Sequence, residues 1–340
     1  MEKRRILFVP TESNLQLVFS EATIERLKSL YNVTFNNKGR DYTSEEIANQ
    51  IKDFEGLITG YGCPTLRESV FESADRLKII AHAAGSVKRL LPEDIVQHYI
   101  IPKGIYVCNA NKAIAYNVAE ATIGLLIMAA HRFIDHAISI REKTGWRDPE
   151  IPLNTPTLNG STVGIVSAST VGREVIRLLQ PFDVKVLLYD PYLSDWEAGR
   201  LNVEKTTLED LFKRSNFVSV HTPVTEETVH MIGKRHLKLL RDDAVLLNTS
   251  RGKIIDHEAL LSECRTGRIM AVLDVTDPEP LPPDSPFRKL KNVIVTPHIA
   301  GSGHYGRFKI GEMTLQALED YFAGKKVENA VNLEKYSILG

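Results

Sequence analysis

Residues 162–180 read TVGIVSASTVGREVIRLLQ and combine a strand pattern, a turn and a helix pattern. Valine and isoleucine dominate the first five positions, which favours a buried strand. After Gly172, apolar residues recur at helical spacing. A buried strand that turns directly into a helix is the repeating unit of a parallel α/β sheet. This stretch therefore predicts an α/β fold.

Two series of such units extend from this stretch in both directions. The first has strand patterns at residues 6–9, 56–59, 77–81 and 106–108, and the second at 162–166, 184–188, 217–221, 244–248, 270–274 and 293–296. Helical patterns lie between the strands, and another covers residues 307–322. Because 340 residues exceed the usual size of one core, we expect two doubly wound α/β domains, the second resembling a nucleotide-binding sheet.

Composition and charge favour a small-molecule partner. Hydrophobic residues make up 43% of the chain, and 42 basic and 43 acidic residues are interspersed to a net charge of −1. This balance gives no electrostatic argument for nucleic acid or an anionic membrane. Cys63, Cys108 and Cys264 lie far apart, and the histidines show no metal-ligand spacing, so we expect neither disulfides nor a metal.

A long apolar pattern at residues 117–133 predicts a buried helix. We expect this helix to be too short, and too interrupted by polar residues, to span a bilayer. A helix this apolar should pack between layers or against a partner subunit. The N-terminal residues show no apolar signal-peptide region. We therefore expect a soluble, cytoplasmic protein.

The turn after the strand at 162–166 is an imperfect phosphate-binding motif. Ser167, Ser169 and Gly172 occupy the three glycine positions of the G-x-G-x-x-G fingerprint of dinucleotide-binding proteins, so only the third glycine is present. The helix N-terminus still favours an anion. Asp190, at the end of the next strand, can bond the ribose hydroxyls of NAD and repel the extra phosphate of NADP. An ordinary strand-turn-helix connection, with Asp190 as a turn residue before Pro191, stays open as the alternative.

Three further segments each end a predicted strand and carry Arg251, Glu279 and His298. The carboxyl ends of parallel strands share one sheet edge, where ligands bind. An arginine can grip a carboxylate with two hydrogen bonds, and a histidine supported by a glutamate can exchange a proton near neutral pH. Singly, each residue also fits a surface ion pair, a solvated loop or a turn cap. Together they match the reduction of a 2-keto acid.

These motifs resemble the D-isomer-specific 2-hydroxyacid dehydrogenase family, which includes phosphoglycerate, D-lactate and glyoxylate/hydroxypyruvate enzymes. The resemblance extends from residues 77–81 through 118–120 to 331–332. Its most specific parts are NTSRG at 248–252, LDV at 273–275 with Glu279 shortly after, and TPHIAGS at 296–302. It implies a Rossmann NAD-binding domain of residues 109–300 inserted into a flavodoxin-like substrate domain of residues 1–108 and 301–340.

The resemblance also implies roles for individual residues. Arg251 would bind the substrate carboxylate and carbonyl, His298 would be the general acid/base, and Glu279 would be its partner. The residues implied in NAD binding are Ser169, Thr170, Val171, Gly172, Asp190, Thr222, Pro223, Thr249, Ser250 and Asp274. Among these, Asp274 would contact the nicotinamide carboxamide, and Thr170 and Val171 would meet the pyrophosphate.

The substrate loop departs from the family pattern. Relatives commonly carry A-R-A-G-x-G-x-D, whereas residues 81–88 read AHAAGSVK. The backbone N–H groups of Gly85 and Ser86 can still form a small anion site and are the expected substrate contacts there. His82 and Lys88 replace an arginine and an aspartate, so the substrate identity of relatives does not carry over. Lys88 either meets a second acidic group on the substrate or is solvated.

The sequence thus predicts an NAD-dependent D-2-hydroxyacid dehydrogenase, with a homodimer implied by the family and by the apolar helix. One alternative is a dehydrogenase of phosphorylated or sugar-derived 2-hydroxy acids. Another is an NAD-sensing, corepressor-like binding protein, because folds host several functions. The intact set of Arg251, Glu279 and His298 argues against the binding protein.

Overall fold

The computed structural model describes residues 3–143 and 145–338 and divides the chain into two compact units. Unit 1 comprises Met1–Ile114 and Ser302–Gly340, and unit 2 comprises Ala115–Gly301. The middle of the chain thus forms one unit, and both ends form the other. The first boundary lies after Ile114 rather than after Cys108, because Ala113 is buried in a core cluster of unit 1 and Ile114 packs against that cluster.

Each unit contains one sheet. The strands are β1 (Arg5–Phe8), β2 (Asn32–Phe35), β3 (Gly56–Gly60), β4 (Ile79–Ala83), β5 (Tyr106–Asn109), β6 (Thr162–Val166), β7 (Lys185–Tyr189), β8 (Glu204–Lys205), β9 (Phe217–Val220), β10 (Val245–Asn248), β11 (Met270–Leu273) and β12 (Val293–Val295). All pairings between them are parallel.

The helices connect and cover these strands. They are α1 (Glu12–Val18), α2 (Glu21–Leu30), α3 (Ser44–Ala48), α4 (Glu68–Ser73), α5 (Glu93–Ile95), α6 (Asn111–Ala130), α7 (Phe133–Glu142), α8 (Thr170–Leu179), α9 (Asp195–Arg200), α10 (Leu208–Arg214), α11 (Lys234–Leu237), α12 (His257–Cys264) and α13 (His304–Phe322). A π-helical turn follows α5 at Val96–Ile100, and 3-10 turns lie at Ile51–Asp53, Gly252–Ile254, Pro286–Lys289 and Leu333–Ile338.

The strand orders confirm the predicted fold class. The sheet of unit 1 runs β2-β1-β3-β4-β5, the flavodoxin-like order. The sheet of unit 2 runs β12-β11-β10-β9-β6-β7-β8, which is the Rossmann order with one additional strand at the β12 edge. The order reverses between β6 and β9, and this switch point is where such sheets bind ligands.

Both faces of each sheet are buried in a hydrophobic core. Successive residues of a strand point to opposite faces, so they belong to different core clusters. In β1, Leu7 belongs to one core cluster, whereas Ile6 and Phe8 belong to the other. In β10, Leu247 belongs to one core cluster of unit 2 and Leu246 belongs to the other. A sheet buried on both faces needs continuous apolar strands, which is why these strands were readable in the sequence.

Two strands were not predicted, and both lie at sheet edges. In β2, Asn32 and Thr34 are exposed, so the strand lacks the apolar run of a central strand. In β8, Glu204 and Lys205 are charged and form a strand only by pairing with β7. Edge strands carry weak sequence signals because one side of the ladder and part of the face meet water.

The apolar helix α6 is longer than its sequence pattern predicted. It begins at Asn111, and its 20 residues are long and apolar enough to cross a membrane by length and composition, with half of the most apolar window buried. The expectation that it is too short to span a bilayer was therefore wrong. Ala119, Leu126 and Ala129 of this helix are buried in a core cluster of unit 2, which is the position of a core helix.

The glycine of α13 gives a test of packing in unit 1. A Cβ added at Gly311 would lie 2.5 Å from the carbonyl oxygen of Val18 and 2.9 Å from the ring of Phe19. We expect Gly311→Ala to lower the free energy of unfolding by about 1–3 kcal/mol, because α13 must move away from the end of α1. A lower thermal midpoint in calorimetry checks this.

The matched control is Gly199→Ala in α9, where an added Cβ meets no atom within 4 Å. This variant should gain roughly 0.4–1 kcal/mol, because alanine restricts the unfolded chain and favours the helix. Equal destabilisation by both variants would contradict the packing explanation.

Candidate active site

The predicted catalytic residues follow neighbouring strands at one edge of the sheet of unit 2. Arg251 comes shortly after β10, and Glu279 lies on the segment after β11. His298 comes shortly after β12. These strands are adjacent and parallel, so their carboxyl ends meet at the same edge.

His298 and Glu279 form a direct pair. His298 Nδ1 lies 2.5 Å from Glu279 Oε1, and the two side chains are 49% and 41% exposed. An ionised carboxylate only accepts hydrogen bonds, so Nδ1 carries the donated hydrogen and Nε2 is the nitrogen left to exchange a proton. The backbone of His298 has φ 53°, in the left-handed region. A residue this size occupies that region only where its surroundings hold it.

The carboxylate of Asp274 holds the segment that carries His298. Its Oδ1 accepts hydrogen bonds from Thr296 Oγ1 at 2.6 Å and from the backbone N–H of Ile299 at 2.9 Å, and its Oδ2 accepts one from the N–H of Ala300 at 2.9 Å. Asp274 is only 2% exposed. It therefore positions the left-handed turn of His298, and its predicted contact with the nicotinamide carboxamide stays a prediction.

Asn248 orders the loop that presents Arg251. Its side-chain oxygen accepts bonds from the N–H and the hydroxyl of Ser250, at 3.0 and 2.8 Å, and its amide donates to the carbonyl of Arg251 at 2.9 Å. The guanidinium of Arg251 donates to the carbonyl of Ser250 at 2.7 Å and is exposed. Within residues 3–143 and 145–338, no carboxylate forms an ion pair with Arg251.

Gly252 brings the loop of Arg251 against the segment that leads to Glu279. A Cβ at Gly252 would lie 2.1 Å from both the carbonyl carbon and the oxygen of Thr276, and 2.6 Å from the nitrogen of Asp277. No residue with a side chain fits there without moving one of the two segments. The sequence reasoning missed this role, although the glycine directly after Arg251 was the available signal.

The turn between β6 and α8 has the backbone of a phosphate-binding loop. Ser167 has φ 80°, the conformation that glycine supplies in the fingerprint, and a Cβ at Gly172 would lie 2.1 Å from the carbonyl oxygen of Ser167. Ser169 caps α8 by accepting a hydrogen bond from the N–H of Gly172 at 3.3 Å. Thr170 and Val171 belong to the first helical turn, whose N–H groups lack intrahelical acceptors. These residues fit a dinucleotide pyrophosphate.

Asp190 lies beside this turn and next to a pocket. Its carboxylate accepts hydrogen bonds from the N–H groups of Ala168 and Tyr192, at 2.8 and 2.9 Å, and from Ser167 Oγ at 3.3 Å. The neighbouring pocket measures about 610 Å³. It is lined by Tyr189, Asp190, Pro191, Asp195, Lys205, Thr206, Thr207, Leu208, Glu209, Met231 and Arg235. Sequence reasoning missed this pocket, because its lining comes from several separate segments.

The remaining predicted cofactor residues lie at the same edge. Thr222 and Pro223 follow β9, beside the switch point, and Thr222 Oγ1 donates to the carbonyl of Val166 at 3.2 Å. Thr249 follows β10 and lies 3.2 Å, between hydroxyl oxygens, from Thr122 of α6. His221, which the sequence reasoning did not single out, is fully buried behind the turn, and burial lowers the pKa of its imidazole to about 3.

The predicted substrate residues Gly85 and Ser86 lie in unit 1, after β4. Ser86 Oγ accepts a hydrogen bond from the N–H of Lys88 at 3.3 Å, and a Cβ at Gly85 would lie 3.0 Å from Asn111 Oδ1. His82 is buried against the hydroxyl of Thr59 at 2.9 Å, and burial lowers its pKa to about 4, so it is neutral at physiological pH.

Among the residues that the structure describes, no group of three or more His, Cys, Asp or Glu side chains is arranged to hold a metal ion.

Comparisons with known proteins identify the family of this chain. A family model described as the NAD-binding domain of D-isomer specific 2-hydroxyacid dehydrogenases matches residues 123–300. A glyoxylate reductase of Korarchaeum cryptofilum is 36% identical over 292 residues, which cover 85% of this chain and 86% of that protein. A D-3-phosphoglycerate dehydrogenase of Methanocaldococcus jannaschii is 33% identical, over 86% of this chain but 54% of its own length.

A solved structure shows the same architecture. A phosphoglycerate oxidoreductase from Rhizobium etli superposes with a TM-score of 0.82 at 25% identity, covering 97% of this chain and 98% of that one. With the family model and the relatives above, the chain belongs to the D-isomer-specific 2-hydroxyacid dehydrogenase family and is an NAD-dependent oxidoreductase of 2-hydroxy acids.

Proposed function

We propose that this enzyme reduces a small 2-keto acid with NADH and, in reverse, oxidises the D-2-hydroxy acid, with His298 as general acid/base and Arg251 as the ligand of the substrate carboxylate. The observation that carries the proposal is the bond of 2.5 Å between His298 Nδ1 and Glu279 Oε1. It fixes the tautomer and leaves Nε2 available for the substrate oxygen.

The bound nicotinamide supplies the hydride. Arg251, which is exposed and unpaired with any carboxylate among the described residues, binds the substrate carboxylate through its guanidinium fork. His298 Nε2 gives a proton to the carbonyl oxygen during reduction and takes it back during oxidation. The carboxylate of Glu279 stabilises the protonated imidazole and keeps the ring in one orientation.

The cofactor is NAD, and we propose that Asp190 selects it over NADP. An ionised carboxylate at the ribose repels the additional phosphate of NADP. The pocket of about 610 Å³ next to Asp190 is large enough for the adenosine half of the cofactor. The two cations that line this pocket each lie near a carboxylate, Lys205 at 3.4 Å from Asp195 and Arg235 at 3.6 Å from Glu209, which reduces their attraction for the additional phosphate.

The substrate class is best described as short 2-keto acids of the glyoxylate type. The glyoxylate reductase named above is 36% identical to this chain, and the D-3-phosphoglycerate dehydrogenase is 33% identical. A phosphorylated acid is the second candidate, favoured by the likeness to the dehydrogenase. The roles predicted for Gly85 and Ser86 in substrate binding stay predictions, and both alternatives for Lys88, contact with a second acidic group of the substrate or solvation, stay open.

We further propose that the enzyme is a homodimer through unit 2. Within residues 133–153, five large apolar side chains are exposed: Phe133 at 54%, Ile138 at 39%, Ile140 at 48%, Trp146 at 83% and Leu153 at 67%. A cluster of this kind on one segment is typical of a protein interface. We propose that a second copy of the chain covers these apolar side chains. Nucleic acid and membrane are not proposed as partners.

A cytoplasmic location is part of the proposal. Cys63, Cys108 and Cys264 are all buried free thiols, which is the usual state of cysteines in a reducing compartment.

The acid/base role of His298 is tested by His298→Asn. We expect kcat for keto acid reduction to fall by about 10²–10⁴-fold, because the proton donor is lost. The fluorescence titration with NADH should be unchanged, since the turn and Asp190 are untouched. Glu279→Gln should give an intermediate loss, because the ring keeps a hydrogen-bond partner without its charge. Near-native turnover of His298→Asn would overturn the assignment.

The dimer is tested by sedimentation velocity. We expect the native chain to sediment as a dimer and Ile140→Glu to shift it toward the monomer, because a charge would be buried in the interface. Leu30→Glu is the matched control, since Leu30 is 42% exposed but lies in unit 1. A native chain that sediments as a monomer at micromolar concentration would refute the interface.

A further inference from the structure

Ser167 occupies a backbone position that favours glycine. Its φ of 80° lies in the left-handed region, where a residue with a Cβ is strained. The surroundings hold it there: its N–H donates to the carbonyl of Tyr189 at 2.8 Å, and its own carbonyl lies against Gly172. Glycine would keep these backbone contacts without the strain. The serine at this position is therefore a candidate for a function of its own.

The hydroxyl of Ser167 bonds the carboxylate that the cofactor needs. Asp190 Oδ2 accepts from the N–H of Ala168 at 2.8 Å and from Ser167 Oγ at 3.3 Å, while Oδ1 accepts from the N–H of Tyr192 at 2.9 Å. A carboxylate offers about four acceptor positions. Three are therefore occupied by the protein, and one, on Oδ1, is left for the ribose.

The adenosine ribose of NAD presents two neighbouring hydroxyls. The one free acceptor position of Asp190 cannot bond both of them. The backbone donors of Ala168 and Tyr192 are fixed by the fold. Ser167 Oγ is the longest of the three bonds and belongs to a side chain that can rotate, so it is the donor that a second ribose hydroxyl would displace.

We propose that Ser167 competes with the ribose of NAD for Asp190 and thereby weakens the binding of the cofactor. The inference rests on the proposed role of Asp190 in selecting NAD. Ser167 touches Asp190 and not the reacting atoms, so it is a positioning residue that sets cofactor affinity. A weaker complex also dissociates faster, which favours exchange of oxidised for reduced cofactor.

The test is binding rather than turnover, with ADP-ribose as the probe, because it carries the ribose and pyrophosphate without the nicotinamide. Calorimetry compares the native protein with Ser167→Ala and Ser167→Gly. Both variants lack the hydroxyl and should bind ADP-ribose about three- to tenfold more tightly, the equivalent of one net hydrogen bond. Ser167→Gly should also have the higher thermal midpoint of the two, because glycine adopts the left-handed backbone without strain.

Asp190→Asn provides the second half of a double-mutant cycle. In that background, removal of the Ser167 hydroxyl should change the affinity less than about twofold, because the competed carboxylate is gone. Unchanged or weaker ADP-ribose binding by Ser167→Ala overturns the inference, as does a gain confined to Ser167→Gly, which would assign it to backbone strain. If the native protein does not bind ADP-ribose, the cofactor role of Asp190 fails too; catalysis by His298 is tested separately by keto acid turnover.

Discussion

The geometry around His298 depends on the hydrogen bonds that the buried carboxylate of Asp274 accepts. It accepts three hydrogen bonds from residues 296–300, two of them from backbone N–H groups, and so fixes the direction in which the chain leaves β12. His298 sits in the middle of this segment with a left-handed backbone. Without these acceptors, the hydroxyl of Thr296 and the N–H groups of Ile299 and Ala300 would lose their partners. For the buried N–H of Ala300, that loss costs more than the bond itself contributes.

Two glycines allow the other segments of the site to approach each other closely. Gly252 lets the loop after β10 touch Thr276, and Gly172 lets the start of α8 touch Ser167. In each case an added Cβ would lie 2.1 Å from backbone atoms of the neighbouring segment. Function here is therefore built at a sheet edge, where strand ends from distant parts of the sequence converge and glycine permits contact between their loops.

The fold and the order of the site residues were predictable because the signals are local. Central strands such as β6 and β10 are continuous apolar runs, and Arg251 and His298 follow such runs directly. The parallel arrangement then brings their ends together. The family resemblance supplied the individual roles, including the pairing of Glu279 with His298, which the structure places within hydrogen-bond distance.

What could not be predicted depends on contacts between distant residues or on backbone conformation. The approach of Gly252 to Thr276, the left-handed φ of Ser167 and the occupied carboxylate of Asp190 have no periodic pattern in the sequence. The two-residue strand β8 exists only through its partner strand. The pocket of about 610 Å³ beside Asp190 draws its lining from residues 189–235, so it becomes visible only once the chain is folded.

In the proposed function, Arg251 recognises a carboxylate next to the carbonyl that His298 protonates. The most direct measurement follows NADH consumption with glyoxylate and with glycolaldehyde, which carries a hydroxymethyl group where glyoxylate has its carboxylate. We expect saturable turnover with glyoxylate and a loss of kcat/KM of about a hundredfold or more with glycolaldehyde, the cost of losing a charged contact in the transition state. Comparable rates with both would contradict carboxylate recognition and, with it, the assignment of this edge of the sheet as a 2-keto acid site.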